Sequence, residues 1–280
     1  MPAPVFCAGS TALITGAGSG IGLALATFCA SQGMSLLLVD KDTARLSSLS
    51  TEFPSSKIRV ESCDVSSASA WAGLRETVVR EFGSVELLAL NAGTMKAGAS
   101  WDDVDAFRVT IETNLFGVIY GIQAMLPEIN KAAEQQKKTA IVITGSKQGI
   151  TNPPGNPAYN ASKAAVKSVA EQLSFDLQKQ TTTVHLLVPG WTFTGMTGSK
   201  ATAEKPAGAW TPEQVVQYLD EKMSSNEFYI ICPDNEVDEE TDKKRMLWAA
   251  GDVVYRRPAL SRWREETKAE AAEGVSNMMI

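Results

Sequence analysis

Seven short runs rich in Leu, Ile and Val punctuate the chain, at 11–15, 35–40, 58–63, 85–90, 140–144, 184–188 and 228–232. Few polar residues interrupt them, as in strands covered on both faces, and parallel sheets have such strands. Between the runs lie amphipathic stretches of helical period. Strand alternating with helix is the rhythm of βαβ units, so the pattern predicts an α/β chain with a doubly wound, mostly parallel seven-stranded sheet. Two segments break the rhythm. After the sixth run comes a long connection carrying Gly190, Gly195, Gly198, Pro206 and Gly208. Connections of that length usually form lids or binding loops, so residues 191–211 are expected to cover a substrate. A helix should then start at Thr211-Pro212-Glu213-Gln214, a capping-box pattern with proline in the first position. Residues 131–138 read as a solvated helix end whose lysines suit a C-terminus. Residues 234–280 read as a charged extension ending in a polar helix and a loose tail.

Composition narrows the function classes. The chain has 280 residues, 44% hydrophobic and 21% charged, the balance of a globular protein, and a single domain spanning 1–280 with a small lid accommodates them. Lys+Arg 26 against Asp+Glu 32 gives a net charge of -6, which supplies no basic face for nucleic acid. A single histidine, His185, and four dispersed cysteines argue against a metal centre and a disulfide scaffold. No run reaches the roughly 18 apolar residues of a membrane span. The expectation is a soluble, cytoplasmic protein.

The first strand leads into Thr15-Gly16-Ala17-Gly18-Ser19-Gly20-Ile21-Gly22 and then a helical pattern. Glycines at such a turn let the backbone approach a pyrophosphate, whose charge rests on the helix N-terminus. That is the dinucleotide crevice of a Rossmann-type sheet. Asp40 ends the second strand, where a carboxylate can accept from the adenosine ribose diol and repel a 2′-phosphate. NAD is therefore expected, and NADP is the alternative because Lys41 follows at once. Asp40 could instead cap a helix starting near Thr43. Asp64 and Val65 follow the third strand; Asp64 could accept from the adenine amino group or cap the helix after Ser66. Asn91-Ala92-Gly93 closes the fourth strand with small residues, although Asn-Ala-Gly is also a plausible turn.

Tyr159 and Lys163 form Tyr-x3-Lys on a helix opened by Asn156-Pro157, so both side chains share a face. The ammonium, the helix N-terminus and a cationic nicotinamide would each lower the phenol pKa. A surface tyrosine over a snorkelling lysine is the plainer reading of the pair alone. Ser146 ends the fifth strand, where its hydroxyl can donate to a substrate carbonyl while Tyr159 handles the proton. Asn114 sits mid-helix against its propensity, as a core amide or as the holder of a water leading to Lys163.

Taken together, TGAGSGIG at 15–22, NAG at 91–93, Asn114, Ser146, YNASK at 159–163 and PGWTFT at 189–194 resemble the short-chain dehydrogenase/reductase family over roughly residues 8–235. The resemblance implies Tyr159 as general acid/base, with Lys163 lowering its pKa and holding the nicotinamide ribose. Ser146 would orient the substrate oxygen, and Asn114 would anchor a proton-relay water. Pro189, Gly190, Thr192 and Thr194 would flank the nicotinamide end. Leu90 in place of a first Asn of NNAG, and Lys147 after the serine, depart from the pattern. Met95, Ile150, Trp191, Phe193, Met196 and Trp210 could line a pocket for a medium-sized hydrophobic substrate, or simply pack beneath a loop. The expected activity is NAD-dependent interconversion of an alcohol and a ketone. An NADP-dependent biosynthetic reductase and a redox-silent dinucleotide sensor are the alternatives. The resemblance also implies a homodimer or homotetramer paired through helices near 103–126 and 157–179, with no membrane or nucleic-acid partner.

Overall fold

The computed structural model describes residues 2–96, 101, 103–197 and 204–280. Its elements follow the expected alternation. Strand β1 (Thr11–Thr15) leads to α1 (Gly20–Ser31), β2 (Ser35–Asp40), α2 (Leu49–Glu52) and β3 (Ile58–Ser62). Helix α3 (Ala68–Thr77) continues through a π turn into β4 (Leu87–Leu90). Next come α4 (Val104–Ile111), a π turn (Glu112–Phe116) and α5 (Gly117–Glu134), one uninterrupted helical run. Strand β5 (Ala140–Thr144), α6 (Gln148–Thr151), α7 (Pro157–Asp176) and β6 (Thr183–Val188) follow. The chain ends with α8 (Pro212–Ser224), β7 (Tyr229–Ile231), α9 (Glu239–Val254) and α10 (Lys268–Asn277).

The seven strands pair in the order β3-β2-β1-β4-β5-β6-β7, every pair parallel. Strand order reverses at β1, which pairs β2 on one edge and β4 on the other. A reversal leaves a crevice at the carboxyl ends of the strands, where open α/β sheets bind ligands. Side chains alternate between two cores. Ala12, Ile14, Leu36 and Leu38 join one core with α1 and α8. Leu13, Leu37, Val39 and Leu88 join the other with α3, α5 and α7. Each fully buried Leu or Ile contributes roughly 1.5–3 kcal/mol, so both faces of the sheet are strongly committed.

Several expectations are corrected by long-range contacts. The fourth strand starts at Leu87, because Glu86 is buried and bent to other work: its carboxylate accepts from Thr11 N, Ser84 Oγ and Lys137 Nζ. Lys137 is thus the counter-charge of a buried glutamate, and Lys131 donates to the Gly83 carbonyl; the segment 131–138 is more than a solvated end. Val104–Glu134 is by length and composition apolar enough to cross a membrane, with mean hydropathy 1.2 over an 18-residue stretch. It lies instead along the sheet, with Met125 and Ile129 in the core and Glu128 paired to Arg75. The capping box at Thr211–Gln214 forms as expected. In the C-terminal extension α10 packs on α9, where the Trp248 ring fills the space beside Gly274 and its indole donates to Ser261. Of the long connection, Thr192 bridges Trp210, while Gly198 and the rest of 198–203 lie outside the described residues.

Candidate active site

A cleft of about 650 Å³ opens over the carboxyl ends of β1, β2, β4, β5 and β6. Gly16, Ser19, Gly20, Ile21, Asp40, Val65, Asn91, Ala92 and Gly93 line one part. Ser146, Tyr159, Lys163, Pro189, Gly190, Trp191, Thr192, Thr194, Met95 and Met196 line the rest. Gly18 and Gly22 brace the loop from behind, and a Cβ on Gly22 would sit on the Gly16 carbonyl.

The glycine loop is built to bring backbone close. Gly16 has φ 66°, and a Cβ there would approach Ala92 Cα to 2.8 Å. Gly20 has φ 53°, and its Cβ would meet Thr194 at 2.9 Å. Both conditions favour glycine. Asn91 ties the loop to the sheet, donating to the Thr15 and Gly16 carbonyls and accepting from Thr144 Oγ1. The Asp40 carboxylate accepts from Gly18 N at 2.8 Å and Asp42 N at 3.0 Å. No helix begins at Thr43, so Asp40 caps none; it joins β2 to the glycine loop. Asp64 accepts from Ser66 N and Oγ and pairs with Lys41 at 3.0 Å. It turns the chain into α3, and it stands off the cleft wall while Lys41 and Cys63 line it.

At the other end of the cleft, α7 begins at Pro157 as expected, although Asn156 makes no side-chain cap bond. Tyr159 and Lys163 share its inner face, the Lys163 ammonium 5.8 Å from the phenol ring centre. Lys163 is buried and donates to the Thr144 carbonyl at 2.7 Å. Burial lowers its pKa from 10.5 to about 8, since the charged form loses its water. Burial of the free site also raises the Tyr159 pKa, and the nearby Ser146 hydroxyl pulls the other way. The expected lowering invoked, besides Lys163, the charge of a bound nicotinamide.

Asn114 is fully buried within the π turn. Its Nδ2 donates to the Thr94 carbonyl and Ser162 Oγ, and its Oδ1 accepts from Thr94 N at 2.7 Å. Ser162 in turn donates to the Tyr159 carbonyl. Asn114 therefore joins the helix Val104–Glu134, the segment after β4 and the first turn of α7. It lies behind the wall, with Gly93 between its Oδ1 and Lys163 Nζ.

The apolar set divides. Met95, Trp191 and Met196 face the cleft. Ile150 packs into the core beneath α6, and Trp210 packs edge-on against Tyr218. Phe193 lines a separate cavity with Pro212 and Val216 on the far side of the loop. Backbone pairing of 191–193 with Trp210 turns those two rings away. Thr94, Val109, Thr113, Thr144, Lys147 and Gln148 line the cleft as well. Thr94, Thr144 and Lys147 were findable, since each stands at or just past a strand end. Val109 and Thr113 are brought in by the helix Val104–Glu134, which no local signal reveals.

Comparison with known proteins agrees with the fold. The family model described as short chain dehydrogenase matches residues 10–205. An uncharacterized oxidoreductase of Staphylococcus saprophyticus is 31% identical over 191 residues, 67% of this chain and 80% of that protein. One from Mycobacterium tuberculosis is 33% identical over 199 residues, 68% of this chain and 76% of that protein. Among solved structures, a short-chain dehydrogenase/reductase from Burkholderia phymatum in complex with NAD superposes with a TM-score of 0.78 at 26% identity, covering 91% of this chain and 97% of that one. An alcohol dehydrogenase from the archaeon Thermococcus sibiricus, complexed with 5-hydroxy-NADP, gives 0.67 at 25% identity over 75% and 88%. With the family model matching well over half of its length, the chain belongs to the short-chain dehydrogenase family.

Proposed function

We propose that this chain is an NAD-dependent oxidoreductase of neutral, medium-sized, hydrophobic alcohols and their ketones. The observation that carries the reading is that Ser146, Tyr159 and buried Lys163 share one wall of the cleft, the Lys163 ammonium 5.8 Å from the phenol ring centre. A dinucleotide fits the cleft, because Cβ atoms at Gly16 and Gly20 would crowd Ala92 and Thr194 where a pyrophosphate needs backbone. The cofactor supplies the hydride acceptor or donor. Gly16, Ser19, Gly20 and Ile21 would hold its phosphates, and Asp40 its ribose diol. Val65, Asn91, Ala92 and Gly93 would hold the adenosine side. Pro189, Gly190, Thr192 and Thr194 would face the nicotinamide.

Ser146 donates to the substrate oxygen and fixes it beside the phenol. Tyr159 gives its proton to that oxygen in carbonyl reduction and takes it back in alcohol oxidation. Because burial holds the phenol above its ordinary pKa, the free site stands protonated at neutral pH, ready for reduction. Oxidation needs the phenolate and gains rate as pH rises. Lys163 places a positive charge near the phenol and holds the nicotinamide ribose. The remaining lone pair of Asn114 Oδ1 anchors the water through which Lys163 exchanges protons.

Substrate class follows from charge and surface. Met95, Trp191 and Met196 supply apolar wall. The Lys147 ammonium is spent on Asp234 and Asp242, leaving it no call on a substrate anion. Trp191, Met196 and Thr197 stand at the cleft mouth, as the start of a lid over a single domain would. Four free cysteines fit a cytoplasmic home, and exposed Phe116 and Phe175 fit pairing of copies through the long helices. The test is a panel of neutral and carboxylated secondary alcohols offered with NAD or NADP, followed by the absorbance of reduced nicotinamide. Turnover of neutral hydrophobic members with NAD is expected. Preference for NADP, or for the carboxylated members, overturns the assignment.

A further inference from the structure

We propose that helix α9 completes the active site, with Asp242 and Asp234 clamping Lys147 as a positioning residue that holds Ser146 and the turn at 189–192 in place. Lys147 directly follows Ser146 and opens α6, its carbonyl accepting from Ile150 N and Thr151 N. Its Nζ lies 3.5 Å from Asp234 and forms a second ion pair with Asp242 of α9. The three side chains are 16%, 7% and 4% exposed, so this is an interior cluster. Separating Lys147 from both carboxylates would leave buried charge without compensation, which is strongly disfavoured.

Two connections carry that lock into the site. Asp234 Oδ2 accepts from Trp191 N at 3.0 Å, and Oδ1 accepts from Glu236 N and Val237 N. The cluster thereby grips the turn that carries Pro189, Gly190 and Thr192. On the other side, α6 rests on the backbone of the catalytic helix. A Cβ at Gly149 would come within 2.5 Å of the Lys163 carbonyl carbon, so α6 cannot shift without pressing on Lys163. Ser146 Oγ also accepts from Gln148 N, tying the serine rotamer to α6. Asp234 and Asp242 lie beyond the residues matched by the family model, whereas Lys147 lies within them. The extension thus supplies charges that the matched segment of this chain does not contain.

The inference rests on the proposed oxidoreductase reading, and its test separates the two. In the full-length chain, Asp242→Asn keeps shape and removes the pair. The kcat for alcohol oxidation, counted per cofactor-binding site by fluorescence titration with NADH, should fall about tenfold, the scale of a small misplacement of a reacting group. The KM for NAD should change less than kcat, since the glycine loop and Asp40, which would hold the larger part of the cofactor, are untouched. Lys147→Met should show the same split, and the double variant should be no slower than the slower single one, because Asp242 acts on the site through Lys147. A merely structural pair lowers melting temperature and leaves kcat per cofactor-binding site unchanged; that result, or multiplied losses in the double variant, overturns the inference. If the wild-type chain oxidises no alcohol, the oxidoreductase reading fails by itself. Amide exchange over 146–151 then decides the positioning role: a faster exchange in Asp242→Asn supports it, and an unchanged one refutes it.

Discussion

Replacing Lys163 by Met should abolish activity and yet make the cofactor-free protein more stable. The ammonium is buried, and its pKa falls from 10.5 to about 8 on folding. At pH 7 the lysine is charged in both folded and unfolded chains, so folding loses about 3 kcal/mol to desolvation of this one group. The hydrogen bond to the Thr144 carbonyl, lost in the variant, has a charged donor and was worth about 1.5–3 kcal/mol. Methionine fills much of the same volume without the charge, leaving a net gain of up to about 1.5 kcal/mol and a melting temperature up to a few degrees higher. The sign with pH is fixed by the direction of the shift. Below pH 8 the wild type bears the whole cost. Between about 8 and the unfolded lysine value near 10.4, the unfolded chain binds the extra proton, so wild-type stability climbs with pH. The advantage of Lys163→Met should therefore be greatest at pH 7 and vanish near pH 10.5. Thermal melts of both proteins at these two pH values, without cofactor, are the assay. A variant less stable than wild type at pH 7, or an advantage that persists at pH 10.5, would refute the reasoning.

Two further outcomes follow from the geometry. Asp40→Ala should narrow the ratio of kcat/KM for NAD over NADP, because the carboxylate that would bind the ribose diol is gone; steady-state kinetics with both cofactors checks this, and an unchanged ratio contradicts the role. Gly149→Ala should destabilise the protein by about 1–3 kcal/mol in urea unfolding, since its Cβ meets the Lys163 backbone rather than a movable side chain.

Much of this molecule was legible because local chemistry and long-range position coincide. The runs at 11–15, 35–40 and 140–144 form strands with those bounds, as both faces are covered and no polar residue competes. Gly16, Asn91, Ser146 and Tyr159 were found because strand ends and the first turn of a helix place them by chain order alone. Failures arose where a distant partner decides. Glu86 reads as part of a strand until Lys137 and Thr11 claim its carboxylate. Phe193 and Trp210 read as pocket residues until pairing across the loop rotates them away. Burial, which raises the Tyr159 pKa in the free site, is an effect that sequence spacing does not report. Lys147 was noticed only as a departure, since its partners lie far along the chain.

The central claim is that the Tyr159 phenol carries the proton while the rest of the cleft binds. Tyr159→Phe removes one oxygen atom and keeps the ring. Turnover of NAD with a responsive secondary alcohol, followed by absorbance of reduced nicotinamide, should fall by on the order of 10²–10⁴-fold. The Kd for NADH, measured on the same sample by fluorescence, should stay within about twofold of wild type. Turnover retained within about tenfold of wild type, with binding intact, would contradict the account.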